Sequence, residues 1–158
     1  LEGGEGKDRL YGGDGNDTLT GGSSNDRIEG GDGDDMITGV NTTTFSVGEV
    51  DRLKGNAGAD IFVLGNANGA FYADDDSTTN GKRDYGFILD FKLGEDTIQL
   101  FDGEDNYYFG TTSRGTNIYI DDDAVDGLSR NDELIGVIRG VKFAPGMISD
   151  STQGFNLV

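Results

Sequence analysis

A nine-residue unit recurs without a gap from Gly3 to Thr38 and constrains the fold more than any other feature. The four units read GGEGKDRLY, GGDGNDTLT, GGSSNDRIE and GGDGDDMIT. Each opens with Gly-Gly, carries Asp at its sixth place and carries Leu or Ile at its eighth. After an interruption at 39–45, the register resumes in SVGEVDRLK (46–54) and GNAGADIFV (55–63). Low-complexity sequence has no reason to keep an acid and an apolar residue in register, so the repeat predicts regular structure.

The period predicts a turn and a short strand in every unit. Glycine tolerates positive φ and leaves carbonyl oxygens room to converge, so the first six residues favour a turn. The last three residues extend and point only the middle one inward, so one apolar residue per unit is enough. Two units then make one coil of a right-handed parallel β-roll, and units i and i+2 stack about 4.8 Å apart on the same edge. The predicted fold class is therefore all-β.

Stacking of alternate units brings the sixth-place carboxylates close to one another. The predicted neighbours are Asp8 and Asp26, Asp17 and Asp35, Asp26 and Asp51, and Asp35 and Asp60. Stacked carboxylates repel one another unless a cation lies between them, and glycine carbonyls complete an all-oxygen shell. Such a shell suits Ca²⁺ better than Mg²⁺, which requires tighter octahedral geometry. Each edge of the roll is therefore a predicted row of calcium sites.

The composition agrees with cation binding and excludes several other classes of function. The 158 residues carry a formal net charge of −18 and include no Cys and no His. Disulfide frameworks, thiolate zinc sites and Ser-His-Asp triads are therefore excluded. The negative charge opposes binding to nucleic acid or anionic lipid, and no apolar run approaches the roughly 20 residues of a membrane span. Acids are abundant, but none is singled out as a general acid, so no enzyme is expected.

Three of the units, GGEGKDRLY, GGDGNDTLT and GGDGDDMIT, match the pattern GGxGxDxUx, and so the repeat resembles the nonapeptide of the RTX (repeats-in-toxin) proteins. The resemblance covers residues 1–64; the runs GNAGADIFVLG, RDYGFILDF and LGEDTIQL are similar to the closing region of secreted RTX metalloproteases and of alginate epimerase R-modules. It implies a roll that binds about four calcium ions, one-step export and folding outside the cell. The residues that it implies as calcium donors, through carboxylates or turn carbonyls, are Gly3, Glu5, Asp8, Gly12, Asp14, Asp17, Gly22, Ser24, Asp26, Gly31, Gly33, Asp35, Asp51, Gly58 and Asp60.

Departures from the pattern weaken particular sites. Serine replaces two residues of the third turn, and the unit at 46–54 has lost its opening Gly-Gly. The site shared by Asp26 and Asp51 is therefore expected to be the weakest. The site shared by Asp17 and Asp35 keeps the full pattern and is expected to be the strongest.

The remainder of the chain, 65–158, predicts a β-rich C-terminal domain after a roll domain at 1–64. Alternating apolar residues or a longer apolar run predict strands around 87–91, 98–100, 118–120 and 134–141. The polar segment 65–84 predicts a surface loop. We expect 85–158 to form a small antiparallel cap that stacks on the open end of the roll and covers its apolar interior.

Three aspartates of this domain leave two alternatives open. Asp84, Asp90 and Asp96 recur six residues apart. They either cap turns at the ends of strands or line a further calcium site at the junction of roll and cap.

Three tyrosines leave a second pair of alternatives. Tyr107, Tyr108 and Tyr119 lie in predicted strands. They either pack in the core and across strands or stack on sugar rings. Sugar stacking would make the chain a carbohydrate-binding module of a secreted enzyme that acts on a polysaccharide.

Both ends of the chain indicate a larger secreted protein. Leu1 and Glu2 occupy the last two places of a unit, so further repeats and upstream domains are expected. Residues 155–158 resemble the short apolar tail of many RTX exporter substrates, although a last β-strand fits them equally. We expect a non-catalytic calcium module that folds after secretion and stabilises or presents a larger extracellular or cell-surface protein.

Overall fold

The structure is a computed structural model, and it describes residues 1–41, 48–72, 84–101, 106–121, 133–143, 146–147 and 155–157. These residues form sixteen β-strands, numbered β1 to β16 in chain order. A six-stranded sheet has the order β1(Glu2–Glu5), β3(Thr18–Ser23), β5(Met36–Val40), β7(Ile61–Val63), β11(Thr97–Leu100), β16(Phe155–Leu157). An eight-stranded sheet has the order β15(Gly146–Met147), β12(Asn106–Thr111), β13(Gly115–Asp121), β14(Glu133–Arg139), β10(Tyr85–Ile88), β6(Val50–Ala57), β4(Arg27–Asp32), β2(Arg9–Asp14). The described residues contain no helix that is long and apolar enough to cross a membrane.

The pairing of the strands follows the nonapeptide period. Successive units alternate between the two sheets, and each strand pairs in parallel with the strand two units later. Arg9 of β2 lies opposite Arg27 of β4, which is an offset of two units. Arg27 lies opposite Arg52 of β6, so this offset has grown by the seven residues of the interruption at 39–45. The interruption lengthens one coil and leaves the register of the strands intact.

The eighth-place apolar residues of the units, together with one residue each from β10 and β11, form two ladders inside the roll. One ladder contains Leu10, Ile28, Leu53 and Ile88, and the other contains Leu19, Ile37, Phe62 and Ile98. All of them are fully buried except Leu10, which is partly buried. Full burial of such a side chain contributes about 1.5–3 kcal/mol, so a single inward residue per unit links each coil to the next.

The C-terminal strands continue the two sheets of the roll, and the predicted antiparallel unit lies at its end. Past residue 64, β10 and β11 continue the two parallel ladders, with Tyr85 opposite Val50 and Thr97 opposite Ile61. Strand β14 then adds to β10 in parallel, and the antiparallel strands β13, β12 and β15 follow at the edge. The expected antiparallel unit is thus continuous with the eight-stranded sheet. An open edge offers unpaired N–H and C=O groups, which these strands satisfy directly.

Residues 65–72 differ from the predicted polar surface loop. They contain a hairpin of β8(Gly65–Asn66) and β9(Gly69–Ala70), followed by Phe71 and Tyr72. Both aromatic residues are buried, and Tyr72 is fully enclosed. The rest of the predicted loop, residues 73–83, lies outside the described residues.

Candidate metal centre

The sixth-place aspartates form a ladder along each edge of the roll. The N–H of Asp8 donates to Oδ1 of Asp26 at 2.8 Å, and the N–H of Asp26 donates to Oδ1 of Asp51 at 2.8 Å. The other ladder has N–H to Oδ1 distances of 2.8, 3.0 and 3.1 Å and runs through Asp17, Asp35, Asp60 and Asp96. All four predicted aspartate pairs are therefore neighbours. Each bonded carboxylate is held in place by the backbone of the coil before it.

The second carboxylate oxygen is the unusual atom in these ladders. It is buried and has no hydrogen-bond partner in four of the described aspartates, namely Asp8, Asp26, Asp35 and Asp60. A buried polar atom without a partner is costly and is rare in native proteins unless a water or an ion satisfies it. Four such oxygens in register indicate places for cations.

The first glycine of each unit makes room for these oxygens. A Cβ on Gly3 would lie 2.5 Å from the carbonyl oxygen of Gly21 and 2.7 Å from Oδ2 of Asp8. The same two kinds of oxygen meet at Gly12, Gly21 and Gly30: the carboxylate of the same unit and the glycine carbonyl of the next coil. Any side chain at these places would collide with both. We call each of these four places, at Gly3, Gly12, Gly21 and Gly30, an oxygen cradle.

The donor set fits calcium. Among the described residues, no three acidic side chains are grouped closely enough to hold a metal by themselves. Backbone carbonyls must therefore supply part of any shell, and Ca²⁺ accepts carboxylate and carbonyl oxygens together in flexible numbers. The carboxylates and carbonyls of the four cradles are the residues that would hold the ion, and the ion would supply the positive charge that the buried oxygens lack.

Burial makes the charged form of these carboxylates costly when no cation is bound. Desolvation raises the pKa of Asp26, Asp51 and Asp60 to about 6, and it raises the pKa of Asp35 as well. The backbone N–H that each of them accepts lowers the pKa, but this effect is smaller than that of burial. Neighbouring carboxylates raise it further. At neutral pH the ladders thus carry charge that a cation would stabilise.

The other turn residues predicted as donors lie at the same edges. Glu5 and Asp14 have exposed side chains, so a contribution from them would come from the backbone. Positive φ is adopted by four of the predicted turn glycines, Gly22, Gly31, Gly33 and Gly58, and each packs against a glycine carbonyl of the coil before it. Which of these carbonyls bind an ion stays a prediction.

A second ladder, at the fifth place of the units, escaped the sequence analysis. The N–H of Asp34 donates to Oδ1 of Asn16 at 3.0 Å, and the N–H of Ala59 donates to Oδ1 of Asp34 at 2.8 Å. The signal was present, because Asn or Asp fills the fifth place of three units, which are those that end at Thr20, Glu29 and Thr38. These exposed side chains pin one turn to the next.

Glu49 is an unpredicted carboxylate next to the site expected to be weakest. Its Oε2 accepts the N–H of Ser24 at 2.5 Å, and Ser24 has a left-handed φ of 79°. Burial raises the pKa of Glu49, and the nearby charges of Asp26 and Asp84 raise it further. Glu49 stands where the pattern has its third glycine, so an acid out of register was the signal. This edge therefore holds more carboxylates than the repeat alone provides.

The aspartates of the second half are positioned by backbone donors. Both oxygens of Asp90 accept N–H groups at 3.0 Å, from Gly55 and Asn56. Asp96 accepts the N–H of Asp60 at 3.1 Å and the N–H of Lys92 at 2.7 Å. These contacts support turn capping, the first of the two alternatives. Asp84, the third member of the set, is fully buried near Glu49.

The three tyrosines separate into one inner and two outer residues. Tyr107 is buried, and its hydroxyl donates to the carbonyl oxygen of Phe101 at 2.9 Å, so this ring cannot stack on a sugar. Tyr108 and Tyr119 lie opposite one another in β12 and β13 and are half-buried. The Nδ2 of Asn117 donates to the hydroxyl of Tyr119 at 2.9 Å.

Two comparisons with known proteins bear on the site. A family model described as the RTX calcium-binding nonapeptide repeat matches residues 2–39 and 49–69, in four copies. The unmatched residues between these two ranges lie within or beside the interruption at 39–45. A search of curated proteins gives no match.

Proposed function

The repeat region of this chain belongs to the RTX family of calcium-binding nonapeptide repeats, and on this basis we propose that the chain is an extracellular module that folds when it binds calcium. The matched repeats bind Ca²⁺ and are a non-catalytic repeat type. Their four copies correspond in number to the four oxygen cradles. We assign no catalytic role to the described residues.

The observation that carries the proposal is the row of buried carboxylate oxygens without partners. Each of the first four units offers one large inward apolar residue, and the whole chain has a net charge of −18. Such a segment cannot offset its charge repulsion and conformational entropy by apolar burial alone. Calcium binding and folding of the roll are therefore one event.

This coupling gives the module a role in secretion. A roll that needs about 0.1–1 mM calcium, as extracellular calcium modules do, stays open in a calcium-poor cytosol and remains exportable. It closes outside the cell, where it stabilises and presents the domains that precede it. Its partners are thus calcium ions and upstream parts of the same protein.

Far-UV circular dichroism tests the proposal. In chelator we expect the spectrum to show disordered repeats. In millimolar calcium we expect the spectrum of the repeats to become that of β-structure. Magnesium and sodium chloride at matched ionic strength serve as controls, because they screen charge without providing a calcium ion. A spectrum that is already fully folded in chelator would contradict the proposal.

A second candidate function, glycan binding, is favoured by the outer face of the eight-stranded sheet. A groove of about 720 Å³ on this face is lined by residues that include Tyr85, Phe87, Asn117, Arg114 and Arg139. Tyr119 of the outer pair lies beside this groove, because its hydroxyl accepts a hydrogen bond from Asn117, and Tyr108 lies opposite Tyr119 in the neighbouring strand. Aromatic rings suit the faces of sugar rings, and the two arginines give this groove a local positive charge, on an otherwise acidic chain, that suits acidic groups of a sugar polymer.

Affinity electrophoresis in calcium tests this second candidate. We expect Tyr108→Ala and Tyr119→Ala to abolish retention by an acidic polysaccharide. Tyr11→Ala is the matched control, because Tyr11 is 65% exposed in β2, which lies at the other end of the same sheet from β12 and β13. Retention that survives both substitutions would exclude the outer pair of tyrosines as a glycan-binding surface.

A further inference from the structure

Asp51 differs from the aspartates of the oxygen cradles because protein donors satisfy both of its oxygens. Its Oδ1 accepts the N–H of Asp26 at 2.8 Å, as the ladder requires. Its Oδ2 accepts the hydroxyl of Tyr72, also at 2.8 Å. Both side chains are fully buried, so no water competes for this hydrogen bond.

The hydroxyl of Tyr72 stands where the other coils place a carbonyl oxygen. At Gly21, an added Cβ would meet Oδ2 of Asp26 and the carbonyl oxygen of Gly39. At Gly39, one coil later, it would meet Oδ2 of Asp51 and the hydroxyl oxygen of Tyr72. A carbonyl is only an acceptor, so it leaves the carboxylate in need of a cation. A hydroxyl is a donor and meets that need itself.

The opposite edge ends in a comparable way. Asp96 closes its ladder with both oxygens bonded to backbone N–H groups, from Asp60 and Lys92. At Gly55, the last unit glycine before it, an added Cβ would meet only atoms of Asp60 among its three nearest neighbours, and no carbonyl. On both edges the ladder therefore passes from carboxylates whose Oδ2 has no hydrogen-bond partner to a carboxylate whose two oxygens both accept a hydrogen bond.

We propose that the hydroxyl of Tyr72 replaces a calcium ion at Asp51, so that the calcium sites of this edge end at the cradle of Gly21. Asp51 is then a structural residue and not a calcium ligand, although its place in the repeat predicts one. The inference rests on the proposed function, because it assumes that the cradles hold calcium.

Two isosteric substitutions separate the roles of the aspartates. Asp35→Asn keeps the acceptor for the N–H of Asp17 but replaces the unpartnered Oδ2 with an amide. Asp51→Asn keeps the acceptor for the N–H of Asp26, and its amide can donate to the oxygen of Tyr72. Equilibrium dialysis with radioactive calcium should show one ion fewer for Asp35→Asn and an unchanged number for Asp51→Asn.

The possible results distinguish this inference from the function on which it rests. Loss of one ion by both variants would overturn the role of Tyr72 and leave calcium binding intact. A wild-type protein that binds no calcium would overturn both.

A double-mutant cycle provides a second measurement. Tyr72→Phe should lower the thermal midpoint in saturating calcium, and the loss should shrink when Asp51 is already Asn, because the unpaired group is then neutral. Tyr107→Phe is the control, since it removes the hydroxyl of another buried tyrosine, which donates to a backbone carbonyl. Equal losses for Tyr72→Phe in the two backgrounds would contradict the proposal.

Discussion

The first coils of the roll and the strands after residue 84 satisfy their carboxylates in different ways. In the first coils, Asp26 and Asp35 each bury an Oδ2 that has no hydrogen-bond partner. After residue 84, Asp90 and Asp96 each accept two backbone N–H groups. An aspartate at a turn therefore does not make a metal site by itself. The atoms around its second oxygen decide whether a cation binds. Hydrogen-bond acceptors beside that oxygen leave a place for a cation, whereas hydrogen-bond donors take that place.

The two regions also differ in apolar burial. The early units contribute one inward residue each, whereas the later strands enclose a chain of aromatic contacts. The ring centroids of Phe62 and Phe91 are 6.3 Å apart, those of Phe91 and Phe143 are 6.1 Å apart, and Phe143 lies 6.2 Å from Phe109. Aromatic pairs add about 0.5–1.5 kcal/mol beyond their area. The dependence on calcium should therefore be concentrated in the first coils.

Removal of calcium should have the largest effect and should unfold one region of the molecule while another stays folded. In chelator we expect peptides from residues 1–41 to exchange their amide hydrogens at the rate of an unfolded chain, because the buried carboxylates lose their counter-ions. Peptides from 84–101 and 133–143 should stay protected, because protein donors and the aromatic core hold them. Hydrogen exchange with mass spectrometry measures both. Equal loss of protection in the two regions would mean that the later strands depend on calcium as much as the first coils do.

Loss of one cradle carboxylate should have a smaller effect. Asp17→Asn removes a carboxylate oxygen, and its charge, from the cradle of Gly12. It should therefore lower the number of bound calcium ions or move the folding midpoint to a higher calcium concentration. We expect a cost of about 1–3 kcal/mol, typical of a buried polar group that loses its charged partner.

The matched control for this substitution is Asp75→Asn, which removes the same charge at a position outside the described residues. It should barely move the midpoint, or should ease folding slightly by reducing repulsion. Calorimetric titration of the two variants gives the comparison. Equal shifts would mean that calcium only screens an acidic chain.

Much of the roll was predictable because the same pattern of residues recurs in every unit. The offset of two units, the inward ladders and the neighbouring aspartates all follow from a sixth-place acid and an eighth-place apolar residue. The seven residues at 39–45 could be recognised as an insertion because Asp51 and Leu53 restore the register. The C-terminal strands were predicted as strands, but their continuity with the eight-stranded sheet depends on pairing between distant segments, which local alternation does not encode.

The contacts of Tyr72 and Glu49 could not be predicted from the repeat. Tyr72 lies outside the repeat, in a stretch whose composition indicates a surface loop, and only the folded chain brings its hydroxyl to Asp51. Glu49 lies inside a unit but breaks its pattern, so its contact with Ser24 could be suspected but not assigned. Both residues alter the edge that carries Asp26 and Asp51. The departures from a repeat are thus as informative as the repeat itself.

A change in pH should have the smallest effect and should act in opposite directions with and without calcium. The folded-state pKa of Asp26 is raised from 3.8 to about 6 by burial. Protonation therefore stabilises the metal-free roll as the pH falls through 6 towards 4, and this stability is lost as the pH rises through 6. In calcium, the same proton competes with the ion. Between pH 7.5 and 6, the calcium midpoint should rise about twofold for each cradle carboxylate with this pKa.

Calcium titrations at the two pH values, followed by circular dichroism, measure this shift. The Asp26→Asn variant should show a weaker dependence on pH, because it has lost one of the groups that titrate in this range. Acidification in calcium-free buffer should restore part of the β-signal in the wild-type protein, which separates charge relief from metal binding. A calcium midpoint that stays constant or falls from pH 7.5 to 6 would mean that the carboxylates of the cradles are not the groups that bind the ion.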